Sequence, residues 1–459
     1  MFQIQSNIPK AKDAYIVGGS IRDLLLGRSP VDYDIAVMGN PEKFAKKIAK
    51  KTGRLVKMGK PGQILIRVIS ENNIYDISSM NGASIEDDLY SRDFTINAMA
   101  YSLSSGEIID PLEGMQDLDE RRVRMVSKDV FKKDPVRLIR AYRLGASMGF
   151  EIEPQTRFAI SDNAKLIRNS AGERIKSELF KTFNTRKSHY YLSQMVDSGL
   201  LFEIFPELYN LIGCSQNIYH QYDVFEHTMK AFSHLETILN DYSEFISEIS
   251  SQIHLSFNDV KTALLKCAIL LHDIGKPAVK TTDNGGNFHF HGHCKKSAEM
   301  AKKISRRLKF SNYETNYMDF ILRNHIKPLS LFTAHQKKTL TTKGLTRFFI
   351  KCGDNTPDLL LHAVADNKGK EYEKDELIEK FIEFTKDLIH NFFSVFKQIK
   401  LKSSLINGYD LINEFGLTPS PLFKSILNLV EYSRLSGKIK SSQEALKLVE
   451  DFLSSSKES

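Results

Sequence analysis

The apolar positions of this chain fall into two regimes. Between residues 14 and 110 they come in short runs broken by turns. Tyr15-Ile16-Val17 reads as a strand running into Gly18-Gly19, and Ile35-Ala36-Val37-Met38 continues a second strand that begins near Asp32. Ile64-Leu65-Ile66-Arg67-Val68-Ile69 and Ile74-Tyr75-Asp76-Ile77 flank Glu71-Asn72-Asn73, a hairpin pattern. Beyond about residue 125 the period lengthens. Leu138, Tyr142 and Gly145-Ala146 sit at helical spacing, and helical stretches continue to the C-terminus. The pattern predicts an α+β head, a mixed sheet with helices, followed by an all-α neck, body and tail. We place these segments at 1–125, 126–200, 201–385 and 386–459. No repeat or low-complexity block interrupts them.

The length of 459 residues suits two to four domains at about 100–200 residues each. No segment approaches the roughly 18 uninterrupted apolar residues that span a bilayer, so no membrane role is expected. The first residues lack a basic stretch, apolar run and small-residue cleavage site in order, so no signal peptide is expected. Cys214, Cys267, Cys294 and Cys352 are widely spaced and form no CxxC pair, which fits a reducing cytoplasm. A net charge of +8 is compatible with a polyanionic partner, though by itself it is a weak pointer.

Candidate chemistry begins at Asp32-Tyr33-Asp34. Residues i and i+2 of a strand face one way, so two carboxylates stand side by side. Like charges at that spacing repel unless a cation neutralises them. Mg²⁺, which prefers oxygen ligands and also binds phosphates, is the natural partner. Asp76, on a following strand, offers a third carboxylate. A lone DxD is more often a solvated strand end. Here Gly18-Gly19-Ser20-Ile21-Arg22-Asp23 precedes it, between a strand and a helix start, where backbone N–H groups can approach phosphates. Gly-Gly, Arg22 and then the acidic pair form a far more specific combination than either part.

These residues carry a resemblance. GGSIRDLLLGRSPVDYDIAV is similar to the signature of class II tRNA nucleotidyltransferases and their relatives, the bacterial poly(A) polymerases. Further motifs follow in the family's order. Arg92-Asp93-Phe94-Thr95-Ile96-Asn97-Ala98 resembles the segment that distinguishes ribose from deoxyribose and helps hold the nucleotide. Asp110-Pro111-Leu112-Glu113-Gly114 resembles a hinge-like turn. Asp134-Pro135-Val136-Arg137-Leu138-Ile139-Arg140-Ala141-Tyr142-Arg143 looks like the amino-acid template for the incoming base, and Ala171-Gly172-Glu173-Arg174-Ile175 like the last motif. The resemblance implies a nucleotidyltransferase head and a helical neck. It implies Asp32, Asp34 and Asp76 as catalytic carboxylates, with Gly18, Gly19, Arg22, Arg92, Asp93 and Asn97 around the nucleotide. The partners implied are tRNA, CTP and ATP. Asp134 and Arg137, three apart, are expected as neighbours on one helical face that reads the base, with Arg140 and Arg143 near the triphosphate. A salt-bridged surface helix is the bland alternative.

The chain departs from the family pattern in two positions, Lys133 where Glu is usual and Ser91 where a second Arg is usual. A third departure says more. Members that add the full CCA end carry a flexible loop after the third-carboxylate strand. Here only Met80-Asn81-Gly82-Ala83 separates Asp76-Ile77-Ser78-Ser79 from Ser84-Ile85-Glu86-Asp87-Asp88-Leu89, which resembles the CC-adding subtype.

A second cluster lies in the body. His227, His272-Asp273, His291, His293, His325 and Asp366 resemble the H…HD…H…H…D arrangement of the HD phosphohydrolase superfamily. The resemblance implies His227, His272, Asp273 and Asp366 around one ion and His293 and His325 at a second, with His291 a weaker candidate. Ni²⁺, Mn²⁺, Mg²⁺ and iron all remain open. The implied reaction is phosphoester hydrolysis, for example of a 2′,3′-cyclic phosphate at an RNA end, and a retained metal site without turnover stays the alternative. Residues 386–459 resemble the family's closing RNA-binding segment, though lysines such as Lys397, Lys400 and Lys424 read equally as a solvated face. Two competing functions stand beside CC or CCA addition: a poly(A) polymerase, and an HD phosphohydrolase whose head only binds RNA. Oligomeric state is not legible.

Overall fold

The computed structural model of the chain describes residues 8–60, 63–70, 73–216, 222–370 and 376–455. They form two compact units, one running to Pro206 and including Arg307–Lys309, the other holding Glu207–Arg306 and the chain from Phe310 onward.

In the first unit the short apolar runs become a seven-stranded mixed sheet in the order β3-β4-β5-β2-β1-β6-β7. The strands are β1 (Ala14–Val17), β2 (Asp32–Val37), β3 (Arg54–Lys60), β4 (Gln63–Ile69), β5 (Ile74–Ser79), β6 (Ala100–Ser102) and β7 (Ile108–Ile109). Neighbours are antiparallel except β2 and β5, which pair in parallel. A parallel pair needs a long crossover. Helix α1 (Gly19–Leu25) links β1 to β2, and helix α2 (Pro41–Thr52) with the β3–β4 hairpin makes the crossover. Tyr33, Ile35, Tyr75 and Ile77 alternate onto one buried face, where Tyr33 and Tyr75 stack 5.5 Å apart. Asp32, Asp34 and Ala36 alternate onto the other. Helix α3 (Ile85–Tyr90) covers part of that second face, its Ile85 and Leu89 joining Val17 and Ala36 in an apolar cluster. A reciprocal Ser84–Asp87 capping box starts α3, only five residues after β5 ends. The expected β4–β5 hairpin forms, while Glu71 and Asn72 at its tip lie outside the described residues.

Helices dominate after residue 125. A two-residue strand, Glu151–Ile152, returns to pair in parallel with Arg122–Val123, and a second ribbon joins Thr281–Thr282 to Phe288–His289. Two residues are too few for an alternation to show in sequence. Helix α4 (Arg137–Met148) buries Leu138, Ile139, Tyr142 and Leu144 and packs on α5 (Gly172–Phe183). A Cβ on Gly145 would lie 2.6 Å from the Tyr191 ring and 2.9 Å from the Phe150 carbonyl, so glycine permits this close approach.

The second unit is built on α6 (Val224–Asn240), α7 (Asp259–Leu271), α8 (His293–Arg307), α9 (Asn312–Asn324), α10 (Thr356–Lys368) and α11 (Glu376–Asn391). Helix α7 is buried throughout from Ala263 to Leu271, apolar there except for Lys266, whose ammonium meets Glu236 at 3.1 Å, and it packs against α6 and α10. The last helices, Gly408–Phe415, Pro421–Leu435 and Ser442–Ser455, enclose a smaller core of Leu411, Ile426, Val430, Ala445 and Val449. Among the described residues, no helix is long and apolar enough to cross a membrane.

Candidate active site and metal centre

Sheet register builds the first site. Asp34 stands opposite Asp76 in the parallel β2–β5 pair, and Asp76 stands opposite Arg67 in β4. One row across three strands therefore presents two carboxylates and a guanidinium on one face. Asp32 shares that face two residues earlier. Arg67 grips both oxygens of Asp76, at 2.8 and 2.7 Å, while Asp32 and Asp34 are exposed. Crowding by protein atoms raises the pKa of Asp34; Arg92 pulls it down, and Asp76 and Asp32 push it up. Ser20 fixes the strand backbone, its Oγ donating to the Asp32 carbonyl at 3.1 Å and accepting the Asp34 N–H at 2.7 Å. Gly18 has φ +68°, and a Cβ there would stand 2.9 Å from an Arg92 nitrogen and 3.2 Å from Asp34 Oδ2. Only glycine lets the turn pass beside both groups. Gly19 opens α1.

A chain of polar contacts leads away from this turn. Arg22 donates to Asp23 at 3.0 and 2.8 Å and to Asn97 Oδ1 at 2.6 Å. The Asn97 amide donates to Asp93 at 2.9 Å, and Asp93 also accepts Arg140 at 3.2 Å. Burial pushes the Asp93 pKa up, but Arg140, the Asn97 amide and the Phe94 N–H outweigh it and hold the carboxylate below its usual range. Arg140 and Arg143 then close on the buried Glu178, at 3.2 and 2.7 Å. Beside this chain, Arg92 is held by Asp88 at 3.0 and 2.7 Å.

The template pair differs from expectation. Asp134 and Arg137 do not share a helix. Asp134 has extended dihedrals, φ −150° and ψ 97°, after the short helix Val130–Lys133, and Arg137 opens α4. Pro135 explains this, because the residue before a proline is driven from helical to extended conformation. Arg174 holds Asp134 through both oxygens at 3.0 and 2.7 Å. Arg137 Nε stands 4.0 Å away, and its Nη atoms donate to the Arg92 and Ser91 carbonyls at 3.3 Å each.

The second site lies where the start of α6, the end of α7, the start of α8 and the ends of α9 and α10 meet. His272 and Asp273 sit just past the last residue of α7 rather than within it. Asp273 uses its two oxygens differently. Oδ2 faces His272 Nε2 at 3.1 Å, His227 Nε2 at 3.9 Å and Lys276 Nζ at 2.6 Å. Oδ1 faces His293 Nε2 at 3.5 Å and His325 Nε2 at 3.9 Å. Asp366 Oδ1 lies 2.9 Å from His227 Nε2 and 3.4 Å from His272 Nε2. Nδ1 of His272, His293 and His325 lies 2.7, 2.8 and 2.7 Å from the carbonyls of Ile269, Phe290 and Leu322, each three residues upstream. That pattern assigns the proton to Nδ1 and turns the Nε2 lone pairs inward, as metal-binding histidines require. Burial pulls the His272 pKa down, yet Asp273 and Asp366 outweigh it and carry it up to about 10, so that a cation binding at Nε2 would displace a proton there; burial and His272 take His325 down to about 4. His291 is exposed and stacks on His289, ring centroids 5.6 Å apart. A cavity of 1280 Å³ adjoins the centre, its wall including Lys276, Lys295, Arg323, Lys327 and Lys370.

Comparison with known proteins completes the picture. The model of the poly(A) polymerase head domain matches residues 14–124, the probable RNA and SrmB-binding site of polymerase A matches 149–211, and the HD domain matches 224–451. The A-adding tRNA nucleotidyltransferase of Deinococcus radiodurans is 29% identical over 449 residues, 96% of each chain. The CC-adding tRNA nucleotidyltransferase of Thermus thermophilus is 28% identical over 444 residues, 95% of this chain and 92% of its own. The chain belongs to the class II tRNA nucleotidyltransferase and bacterial poly(A) polymerase family. The fold agrees: the Thermotoga maritima CCA-adding enzyme, solved in complex with tRNA, superposes with a TM-score of 0.60 at 22% identity, covering 96% of this chain and 91% of its own.

In this nucleotidyltransferase, both clusters suit divalent metal. In the HD centre, His272 Nε2 and Asp273 Oδ1 are buried without a hydrogen-bond partner, a cost that a bound cation would remove. Sequence reasoning missed several partners. Asp88 precedes Arg92 by four residues, and Arg67 follows from the hairpin register, so both had a local signal. Arg174 and Glu178 meet their partners only through packing of α5 on α4. His362 was also unmarked. It lies four residues before Asp366 on α10, fully buried, with its ring 5.4 Å from His272 and 5.8 Å from His325.

Proposed function

We propose that this chain adds cytidines to the 3′ end of tRNA and stops before the terminal adenosine. The observation carrying this reading is the five-residue connection between β5 and α3, which leaves no room for the flexible loop of full CCA-adding members. Residues 1–125 serve as the nucleotidyltransferase head, 126–200 as the neck, 201–385 as the HD body and 386–459 as an RNA-binding tail, in a cytoplasmic protein. The 3′ hydroxyl of the RNA attacks the α-phosphate of CTP, and pyrophosphate leaves. Asp32 and Asp34, with Asp76, are suited to hold Mg²⁺, which when bound activates that hydroxyl and neutralises charge on the leaving group. Gly18, Gly19, Arg22 and Arg92 border the phosphates. Asp93 and Asn97 orient the sugar. Asp134 offers acceptors to the base edge and Arg137 offers donors, while Glu178 keeps Arg140 and Arg143 from swinging free.

Incubation with tRNA transcripts ending at the discriminator base, at C and at CC, with CTP and ATP together, is expected to give products ending in CC. Sequencing of the new ends checks this. Adenosine after CC overturns the reading in favour of a full CCA enzyme, and adenosine runs on many RNAs favour a poly(A) polymerase. Arg174→Ala is expected to lower kcat/KM for CTP by about tenfold, the scale of one charge-assisted hydrogen bond discounted for the half-exposed Arg174. Competition between CTP and UTP measures the accompanying loss of selectivity.

For the body we propose hydrolysis of a phosphoester at an RNA end, which would expose the 3′ hydroxyl that the head extends. His227, His272, Asp273 and Asp366 are suited to one divalent ion, Ni²⁺, Mn²⁺, Mg²⁺ or iron, and His293 and His325 to a second; when bound, such ions lower the pKa of coordinated water. Lys295, Lys327, Lys351 and Lys370 on the cavity wall, beside the ion-paired Lys276–Asp273 and Arg323–Asp319, support an anionic substrate.

A further inference from the structure

The second ion of the HD centre has one more donor beside it. Cys294 is buried, with Sγ 3.5 Å from His293 Nε2 and 4.0 Å from His325 Nε2. The two histidine nitrogens are 3.2 Å apart, and Asp273 Oδ1, buried without a hydrogen-bond partner, lies 3.5 and 3.9 Å from them. Adjacent residues of a helix point about 100° apart, so His293 and Cys294 converging at the start of α8 is a tertiary arrangement that no sequence period predicts. The spacing can be tested against ion geometry. With Zn–S near 2.3 Å and Zn–N or Zn–O near 2.0–2.2 Å, a tetrahedral site has donor–donor edges of roughly 3.3–3.6 Å. Five of the six edges run from 3.2 to 4.0 Å, and the donors of His293, Cys294 and His325 all lie within 4.8 Å of one another, so a side-chain shift that brings Asp273 toward Sγ closes the set around one ion.

We propose that Cys294 is a thiolate ligand, completing with His293, His325 and a shared Asp273 a second site for a borderline-soft transition dication of the zinc class. This rests on the reading of the body as a metal centre and adds to it a ligand and a selectivity. The first site offers two nitrogens and two carboxylates and tolerates hard or intermediate ions. The second adds sulfur, which disfavours magnesium and binds zinc, cobalt or iron in preference. The thiol proton leaves to solvent as the ion binds.

The test is cobalt titration of the full-length, chelator-stripped chain, followed by absorption. Weak visible bands report cobalt in either site. An intense near-ultraviolet thiolate-to-cobalt charge-transfer band, persisting in excess Mg²⁺, reports Cys294. Cys294→Ser is expected to remove that band and weaken the second ion by at least the roughly 10–100-fold that loss of even an outer-sphere partner costs, with the first ion's visible bands retained. Cys214→Ser keeps the band. Visible bands without a charge-transfer band in the unmodified protein, or a band that survives Cys294→Ser, overturn the thiolate assignment alone. No cobalt uptake overturns the metal-centre reading, and this assignment with it.

Discussion

Asp34→Ala is expected to lower nucleotide incorporation by ~10³-fold or more while leaving the head folded. The size follows from the several kcal/mol that a positioned cation contributes to a phosphoryl-transfer barrier, each 1.36 kcal/mol being tenfold in rate. Folding should survive because the Asp34 side chain is exposed. Its backbone N–H, which is what Ser20 Oγ accepts, is unchanged by the substitution. Asp32→Ala should behave alike. The check is steady-state CTP incorporation into tRNA lacking its 3′ end, with thermal unfolding as the folding control. Near-normal incorporation by Asp34→Ala would remove the carboxylate pair from the mechanism. An unmodified protein that extends no RNA at all would favour the hydrolase with an inert head.

Asp273→Asn should be nearly as damaging in the other unit. The amide keeps the side chain's shape and can still accept from Lys276, which otherwise faces a buried, unpaired charge. It loses the negative charge shared by both groups of histidines. Phosphoester hydrolysis is expected to fall by about 10³-fold and bound transition metal to drop together with it. Nucleotide addition should stay within about twofold, because Asp273 belongs to the other unit and shares no described partner with Asp32, Asp34 or Asp76. Metal analysis beside the two activity assays separates the cases. Full metal content with lost hydrolysis would place Asp273 in catalysis rather than in ion binding, and lost nucleotide addition would show that the two activities are coupled.

Strands β1, β2, β4 and β5 were legible because they carry strong local signals, whereas β3, with its charged and glycine positions, and the short β6 and β7 were not. Tyr15 to Val17, Asp32 to Met38 and the hairpin from Ile64 to Ile77 all alternate or run apolar within a few residues, and helix α4 shows its buried stripe plainly. What sequence could not give is the partner of each charged group. The Asp134–Arg137 spacing is helical along the chain, but Pro135 drives Asp134 into extended backbone. Arg174 reaches Asp134 across a turn of packing, not of sequence. In the body, six of the metal candidates were marked by their resemblance to the HD pattern, but His362 and Cys294 fall outside that pattern, and a buried histidine or cysteine on a helix reads as core. The two-residue ribbons escaped for a different reason, each strand being too short for the two-residue alternation to repeat.

The line of polar contacts from Asp23 through Arg22, the neutral Asn97, Asp93, Arg140 and Glu178 to Arg143 has an evolutionary consequence for its charged members. Replacing a charged member leaves a neighbour with fewer counter-charges, some of them out of reach of water, so drift at these positions is penalised unless two change together. Among distant descendants of this head, acid and base should therefore be exchanged or lost as couples, and a lone survivor of a broken couple would mark a lineage in which the nucleotide pocket has been put to another use.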